Sequence, residues 1–282
     1  MSGKIEAKQL AAGPGWYVQD VLCHAGPDDA PFEEEHSTVA VAAVLSGTFI
    51  YRTTEGRNLL SPGSILLGNH GRCFQCGHEH GAGDRCLSFH FSADSWEEIA
   101  GAVPGAHHGK FDVPSLPPTT ALLPIVAMLE GARDIGRPAM EEAALDFAGM
   151  ALRLSADVSR DRRSLRTSDE RRISDAVRRI ELTAHELEGD RLSLTTLAGD
   201  AGMSRYHFLR TFRRLVGMTP HQYVLHVRMH KAAVWLRTTD APLTAVALDA
   251  GFNDLSTFVR RFRQIMGSPP GEYRNNARRR PK

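Results

Sequence analysis

Sulfur and imidazole side chains are concentrated in one short stretch of the chain. Positions 73 to 80 read Cys-Phe-Gln-Cys-Gly-His-Glu-His, and a further cysteine and histidine follow at positions 86 and 90. Thiolate and imidazole are ligands that zinc and other transition metals prefer. The candidate ligand set for a transition metal ion, the one cofactor that the sequence suggests, is Cys76, His78, His80 and Cys86.

The spacing of these ligands constrains how they could bind a metal. Cys76, His78 and His80 alternate, so on a strand they would share one face. Three ligands along one strand span roughly 13 Å at about 3.3 Å per residue, so the backbone would have to bend, which Gly77 permits. Two other interpretations stay open. The histidines could line an effector pocket without metal while the cysteines pack as small apolar residues, or the cysteines could form a redox-sensing pair.

A second group of residues has the types and spacing of a DNA-binding surface. Arginines, hydroxyl residues and small apolar residues recur on the outer faces of two predicted helices near the C-terminus. Arginine can bind a guanine edge through two hydrogen bonds, and it also contacts phosphate, so both modes stay open for each residue. The candidate DNA-binding residues are Ser204, Arg205, Tyr206, Arg210, Arg213, Leu255, Ser256, Thr257, Val259, Arg260 and Arg263.

A helix-turn-helix layout would position the second half of this set. In residues 244–274, Gly251 follows a short apolar helix, and glycine tolerates the left-handed conformation that often ends a helix. Asp254 is a suitable N-cap for the next helix. Phe258 and Phe262 lie at i and i+4, so they share its inner face. A helix, a tight turn and a second helix with a polar outer face are typical of a DNA-binding helix-turn-helix.

The same pattern occurs once before, in residues 194–223. Ala198 and Gly202 match Ala247 and Gly251 at an offset of 49, and later positions match at an offset of 50. In the later pairs, the residues of the first unit are Phe208, Phe212, Arg213, Gly217, Pro220 and Tyr223, and each matches the residue 50 positions farther along the chain. The one-residue difference falls in the turn, where an insertion costs little. A helix from Pro220 through Arg237 is predicted to join the two units, with proline at its start.

These residues are similar to those of the AraC/XylS family of transcriptional regulators. The sequence AGFNDLSTFVRRFRQIMGSPPGEYR follows the family pattern A-x-x-x-G-F, S-x-F-x-R-x-F and G-x-x-P-x-x-Y-R. The resemblance covers residues 174–275 and implies two tandem helix-turn-helix units that bind specific DNA. It implies double-stranded DNA, a small-molecule effector, RNA polymerase and a second copy of the chain as partners. No membrane partner is expected, because no stretch of the sequence is apolar over about 18 residues.

The N-terminal 115 residues have a β pattern. Strand-like runs at 15–22, 37–45, 48–53, 64–67 and 85–91 are separated by Gly and Pro turns, which predicts a sandwich or small barrel. The segments at 44–49 and 60–67 resemble a cupin, although only His36 stands where the cupin metal motif has a His-x-His pair. The predicted fold class is α+β, with an N-terminal β-barrel or cupin-like domain and a C-terminal all-α domain with two helix-turn-helix units.

The middle of the chain has helical periodicity at 120–133 and 140–158. The family resemblance implies that these helices form a dimer contact, and packing against the barrel is the alternative. The predicted domains are a sensor at 1–115, helices and a charged linker at 116–167, and the DNA-binding domain at 168–282. Its two helix-turn-helix units are predicted at about 194–215 and 243–265.

Charge and composition agree with this division. Residues 171–282 contain 20 Lys and Arg against 10 Asp and Glu, whereas residues 1–170 contain 14 against 23. A basic domain joined to an acidic one is typical of a nucleic-acid binder with a separate effector module. Four cysteines without a disulfide framework favour a reducing cytoplasm, and no signal peptide or membrane span is recognisable.

The sequence favours a regulator, either an activator or a repressor, over an enzyme. It contains no nucleophile elbow, Walker loop or Rossmann fingerprint. A catalytic cupin domain and an architectural DNA binder without an effector are the competing classes. Within the regulator class, the alternative to a small-molecule sensor is a metal- or thiol-responsive regulator that uses the Cys/His cluster.

Overall fold

The fold is described by a computed structural model, in which residues 4–78, 83–103, 109–120, 122–130, 137–157, 167–184 and 189–279 are described. By its internal contacts the chain divides into two units. The first, here called the β unit, comprises Met1–Pro118 and Ile135–Ser174, and the second, the helical unit, comprises Thr119–Asp134 and Asp175–Lys282.

The β unit is built on two antiparallel sheets. Its described strands are β1 (Ile5–Gly13), β2 (Trp16–Cys23), β3 (Phe32–Glu35), β4 (Val39–Gly47), β5 (Phe49–Thr53), β6 (Gly56–Leu60), β7 (Ile65–Gly68), β8 (Cys73–Gly77), β9 (Asp84–Phe91) and β10 (Ser115–Leu116). One sheet has the order β1-β2-β9-β4-β7-β10, and the other has the order β3-β8-β5-β6. The two sheets share a core that includes Val44 and Cys86 from the first and Tyr51 and Cys76 from the second.

The predicted α+β class is confirmed, but the predicted barrel is not closed. Among the described strands no ladder joins the six-stranded sheet to the four-stranded sheet, so this part of the chain is a sandwich. The chain crosses between the sheets next to Gly47 (φ 79°) and Gly63 (φ 87°), where the backbone adopts the left-handed conformation. A Cβ at Gly47 would lie 2.3 Å from the Gly83 carbonyl oxygen, so a side chain does not fit there.

The five strands that the sequence predicts coincide with β2, β4, β5, β7 and β9, all of which are interior strands. Of the strands it misses, β1, β3, β6 and β10 lie at sheet edges. Edge strands carry polar and charged residues that discourage pairing with other chains, and this weakens the apolar alternation that predicts a strand. The acidic run in β3 is an example.

Ten α-helices and one 3₁₀ helix (Gly189–Leu192) lie within the described residues. The α-helices are α1 (Ala93–Ala102), α2 (Leu123–Glu130), α3 (Arg137–Asp157), α4 (Thr167–Thr183), α5 (Leu194–Asp200), α6 (Arg205–Val216), α7 (Pro220–Thr238), α8 (Leu243–Asp249), α9 (Leu255–Met266) and α10 (Pro270–Arg279). The sequence analysis misses α1, which is capped by Ser92. No helix in the described part of the chain combines the length and apolarity that a membrane crossing needs.

Helix α3 packs within the β unit through its apolar stripe, which is the surface that the family resemblance assigns to a dimer contact. Met140, Ala144 and Phe147 are buried, and the Phe147 ring meets Phe89 of β9 edge-on at 5.3 Å between centroids. At the opposite face of the helix, Leu145 is 46% exposed. The chain therefore covers the predicted stripe itself, and a dimer contact through α3 would have to use the other face.

The helical unit is organised around α7. Proline at its first turn and a capping box between Thr219 and Gln222 begin this helix, as the sequence predicts for Pro220. Its buried residues Met229 and Leu236 share a core with Phe258 and Phe262 of α9. Two residues of α2, Leu123 and Ala127, belong to the same core.

Helix α2 thus packs in the helical unit, although the sequence analysis places it in a separate segment at 116–167. The boundaries 1–115, 116–167 and 168–282 stay a prediction. The structure adds that a helix preceding the linker contributes to the core of the C-terminal helices.

Candidate DNA interface and a buried cysteine–histidine cluster

The first helix-turn-helix unit is made by α5 and α6. Left-handed Gly202 (φ 60°) lies in the turn between them. The Ser204 hydroxyl caps α6 by accepting a hydrogen bond from the His207 amide at 3.3 Å. Helix α6 ends at Gly217, which adopts the left-handed conformation (φ 82°). Local signals at both ends therefore fix where α6 begins and ends.

The two faces of α6 differ as the sequence predicts. Phe208 and Phe212 are fully buried, and the Phe212 ring meets Tyr223 of α7 edge-on at 5.9 Å. The exposed residues on and next to α6 include Ser204, Arg205, Arg210 and Arg213. Tyr206 lies on α6, but its side chain is outside the described part of the structure. Arg214, also exposed, is a further candidate phosphate ligand outside the predicted set.

The second unit, α8 and α9, repeats this geometry. Gly251 (φ 78°) lies in the turn, and Gly267 (φ 80°) ends α9. The Asp254 carboxylate accepts a hydrogen bond from the Thr257 amide at 2.7 Å, and this bond lowers the pKa of Asp254. A capping carboxylate that stays ionised also interacts favourably with the positive end of the helix dipole.

Helix α9 carries an open, shallow groove on its outer side. Phe258, Phe262 and Met266 are buried, whereas Thr257 and Val259 are half-buried. The groove is lined by Leu255, Ser256, Val259, Arg260, Arg263, Gln264 and Gly267. Gln264 is an addition to the predicted set, and its amide could hydrogen-bond a base edge or a phosphate. An apolar floor rimmed by two arginines suits a thymine methyl flanked by acidic phosphates.

The predicted metal ligands occupy different environments in the β unit. Cys76 and Cys86 are buried thiols in the core between the sheets, and burial raises the pKa of both. His78 follows β8 and is buried, whereas His80 lies outside the described residues. Cys73, at the start of β8, is exposed. Of the four predicted ligands, the structure brings only His78 into a candidate metal-binding group among the described residues.

That group consists of Cys23, His78 and Asp84, whose ligand atoms all lie within 4.8 Å of one another. His78 Nε2 lies 2.5 Å from the Asp84 carboxylate. Burial lowers the pKa of His78, but its hydrogen bonds with Asp84 and Cys23 outweigh burial and raise the pKa to about 9. Cys23 and Asp84 lie outside the predicted ligand set because no local spacing links them, and the β2–β9 register alone brings them together.

A second polar group lies farther along the same sandwich. His36 Nε2 is 2.7 Å from the Tyr51 hydroxyl, and its ring stacks on Phe74 at 4.2 Å. His90 hydrogen-bonds Thr38 and Ser88 through its two ring nitrogens and stacks on Tyr17. Burial lowers the pKa of His36 and of His90 to about 4, so both rings are neutral at pH 7 and can donate or accept hydrogen bonds.

Comparison with known proteins places the helix-turn-helix units in a family. A family profile described as "Helix-turn-helix domain" matches residues 197–276. The HTH-type transcriptional regulator MtrA of Neisseria gonorrhoeae is 34% identical over 85 residues, which make up 30% of this chain and 28% of that protein. The match thus spans less than a third of that relative's own length.

Two further matches cover most of the length of the other protein, which is a short regulator in one case and a single solved domain in the other. The regulatory protein SoxS of Salmonella typhimurium is 34% identical over 84 residues, which make up 30% of this chain and 78% of SoxS. The solved DNA-binding domain of AdpA, in complex with a target DNA, is 34% identical and covers 39% of this chain and 96% of that chain, with a TM-score of 0.36. Given the identity to SoxS over most of its length, together with the tandem units, the chain belongs to the AraC/XylS family of transcriptional regulators.

Proposed function

We propose that this chain is a cytoplasmic transcriptional regulator in which the β unit senses a small effector and controls promoter binding by the two helix-turn-helix units. The observation that carries the proposal is the repeated geometry of α6 and α9, here called the reading helices. Each begins at a side-chain cap, buries two phenylalanines and exposes arginines on its outer face.

The proposed DNA contacts divide between bases and phosphates. Arg210 lies in the middle of α6 and is proposed to bind a guanine edge in the major groove. Arg213 and Arg263 lie in the last turns of their helices and are proposed to contact phosphates. Two reading helices in successive major grooves would bind segments about one helical turn apart, roughly 34 Å along the duplex.

The interior of the β unit supports effector binding. Its neutral histidines, with Tyr51, Ser88 and Thr38, provide hydrogen-bond donors and acceptors beside aromatic rings. A small ligand with polar groups on an apolar or aromatic frame would find partners there. Such a ligand would act by binding one arrangement of the regulator better than another and thereby shifting the population.

The assembly is proposed to be a homodimer that works with RNA polymerase at the promoter. Leu145, exposed on α3, is the apolar residue proposed to face a second copy.

A metal- or thiol-responsive regulator is the second candidate function, and the buried group of Cys23, His78 and Asp84 favours it.

Genome-wide mapping of the sites bound by the tagged full chain would identify the operator, and Arg210→Ala would then test the proposed contact. We expect this variant to lose about 1–3 kcal/mol of affinity at the cognate site, with a smaller loss on random DNA. The measurement is a fluorescence-anisotropy titration at fixed salt. Arg153→Ala, which removes an exposed arginine from α3 of the β unit, is the matched control and should bind like the parent protein.

The result separates three situations. An equal loss on cognate and random DNA would show that Arg210 contacts only phosphate. Unchanged binding to both would mean that α6 does not face DNA, which would overturn the proposal for the first unit. A preferential loss at the cognate site supports base readout by α6.

A further inference from the structure

We propose that Cys23, His78 and Asp84 form a binding site for a divalent transition metal ion, with zinc as the best fit to the donor set. Cys23 ends β2, Asp84 begins β9, and His78 follows β8 in the other sheet. All three side chains are buried, with residue exposures of 5%, 5% and 8%. The sequence alone favours a different set, of which only His78 is retained.

The donor chemistry distinguishes this group from an ordinary buried ion pair. One thiol sulfur, one imidazole nitrogen and one carboxylate oxygen converge in a site with little access to water. An ion pair requires only the histidine and the aspartate. A group that also contains a thiol combines sulfur, nitrogen and oxygen donors, which are the ligands of zinc. A bound cation would also compensate the cost of burying the carboxylate.

The distances permit a metal ion with only small side-chain movements. Zinc holds sulfur at about 2.3 Å and nitrogen or oxygen at about 2.0–2.2 Å, which places tetrahedral ligand atoms roughly 3.3–3.8 Å apart. The three ligand atoms already lie within 4.8 Å of one another. The pair His78 Nε2 and Asp84 Oδ2, now 2.5 Å apart, would have to separate by about 1 Å to admit the ion.

The backbone holds two of the ligands in place through glycines. Cys23 and Asp84 face each other in the register between β2 and β9. Gly83 adopts φ 73°, and a Cβ there would lie 1.9 Å from the Cys23 carbonyl oxygen. Gly47 also lies close to Asp84, since a Cβ at Gly47 would lie 2.7 Å from the Asp84 Cα. The close approach of these strands therefore requires glycine and sets the Cys23–Asp84 spacing.

Three protein ligands leave one tetrahedral position for a fourth donor. Cys86 is a candidate because its thiol lies 3.3 Å from Asp84 Oδ1 and shares the same face of β9. Because His78 comes from the four-stranded sheet and the other two ligands come from the six-stranded sheet, the metal would link the sheets. The β unit should therefore be more stable with the metal than without it.

The test uses the full chain, purified without a histidine tag, stripped with a chelator and titrated with Co²⁺ and Zn²⁺. We expect one metal per chain, with a thiolate-to-Co²⁺ charge-transfer band and the d–d absorption of tetrahedral Co²⁺. Cys23→Ser and Asp84→Asn, which change little in volume, should each weaken binding by about tenfold or more and remove the metal-dependent rise in Tm. Cys73→Ser, at an exposed cysteine of β8, is the matched control and should bind normally.

Two outcomes would overturn the proposal. One is Co²⁺ binding well below one per chain in a folded parent protein. The other is full binding by folded Cys23→Ser together with loss of binding in His80→Ala, which would favour the ligand set that the sequence suggests. Far-UV circular dichroism establishes folding in each variant. Metal binding is measured without DNA, so its failure would leave the proposed promoter binding unaffected, and the converse also holds.

Discussion

Single buried side chains determine which residues face outward from the reading helices. In α9 the rings of Phe258 and Phe262 lie 5.5 Å apart and fill the space beneath the helix, and Phe262 meets Tyr273 of α10 edge-on. Because these rings fix the rotation of the helix about its axis, Ser256 and Arg260 must point away from the core. The outward-facing residues that are proposed to contact DNA thus depend on buried residues that would not touch it.

A buried histidine in α7 makes the stability of the helical unit depend on pH. His226 is nearly inaccessible, and burial, with a smaller effect of nearby His230, lowers its pKa to about 3. The unfolded chain, with an ordinary pKa of about 6.5, therefore binds a proton first as the pH falls. This contribution to stability is complete above about pH 6.5 and is lost progressively toward pH 3.

Lowering the pH from 7 to 5 should therefore reduce the free energy of unfolding by about 2 kcal/mol through His226 alone. Urea unfolding of the parent and of His226→Gln at both pH values measures this contribution as the difference between the two pH effects. His221→Gln, at an exposed position of the same helix, is the control and should keep the parental pH effect. An identical pH effect in His226→Gln and the parent would show that His226 is not neutral in the fold.

Residue-level prediction from the sequence succeeds where contacts are local. The pairs Phe208 with Phe212 and Phe258 with Phe262 are four positions apart on one helix, so their spacing alone identifies the inner face. Cys23 and Asp84 are neighbours only because β2 pairs with β9, and no residue spacing specifies that register. The sequence therefore identifies the outward-facing arginines of both helices but selects different partners for His78.

At the scale of elements, α2 shows what hydrophobic periodicity leaves undetermined. Its sequence, Leu-Pro-Ile-Val-Ala-Met-Leu-Glu, is apolar on most sides, so it indicates a buried helix without indicating the surface that covers it. The structure places Leu123 and Ala127 against Met229 and Phe258. For amphipathic α9, in contrast, the sequence pattern indicates both the buried face and the N-cap residue, and both predictions are correct.

Truncating the α2 anchor should weaken the helical unit selectively. Leu123→Ala removes a fully buried side chain and should cost about 2–5 kcal/mol, since it loses apolar burial and leaves a cavity. The measurement is amide hydrogen exchange, in which we expect α7 and α9 to lose protection while β4 and β9 keep theirs. Leu152→Ala, which truncates a buried leucine of α3, is the matched variant and should show the opposite pattern. Undiminished protection of α7 and α9 in Leu123→Ala would show that α2 does not support the reading helices.

At the scale of the whole molecule, charge is divided along the chain. The C-terminal 112 residues have 10 more basic than acidic side chains, whereas the N-terminal 170 residues have 9 more acidic than basic ones. The overall charge of +1 therefore conceals a basic region suited to the DNA backbone and an acidic region that DNA repels. This division favours binding through the helix-turn-helix units and disfavours non-specific adhesion through the N-terminal residues.

The same division predicts a strong salt dependence of DNA binding. Apart from Arg210, the proposed base contact, the reading helices expose five arginines, which are Arg205, Arg213, Arg214, Arg260 and Arg263. If each neutralised one phosphate, the logarithm of the binding constant would fall against the logarithm of salt concentration with a slope of about −4 to −5, because bound counterions are released. Arg213→Ala should make this slope less negative by about 1 on any sequence, whereas Arg153→Ala should leave it unchanged. Anisotropy titrations of the full chain over a range of salt concentrations provide the slope, and a value near zero would contradict binding of the duplex backbone through these arginines.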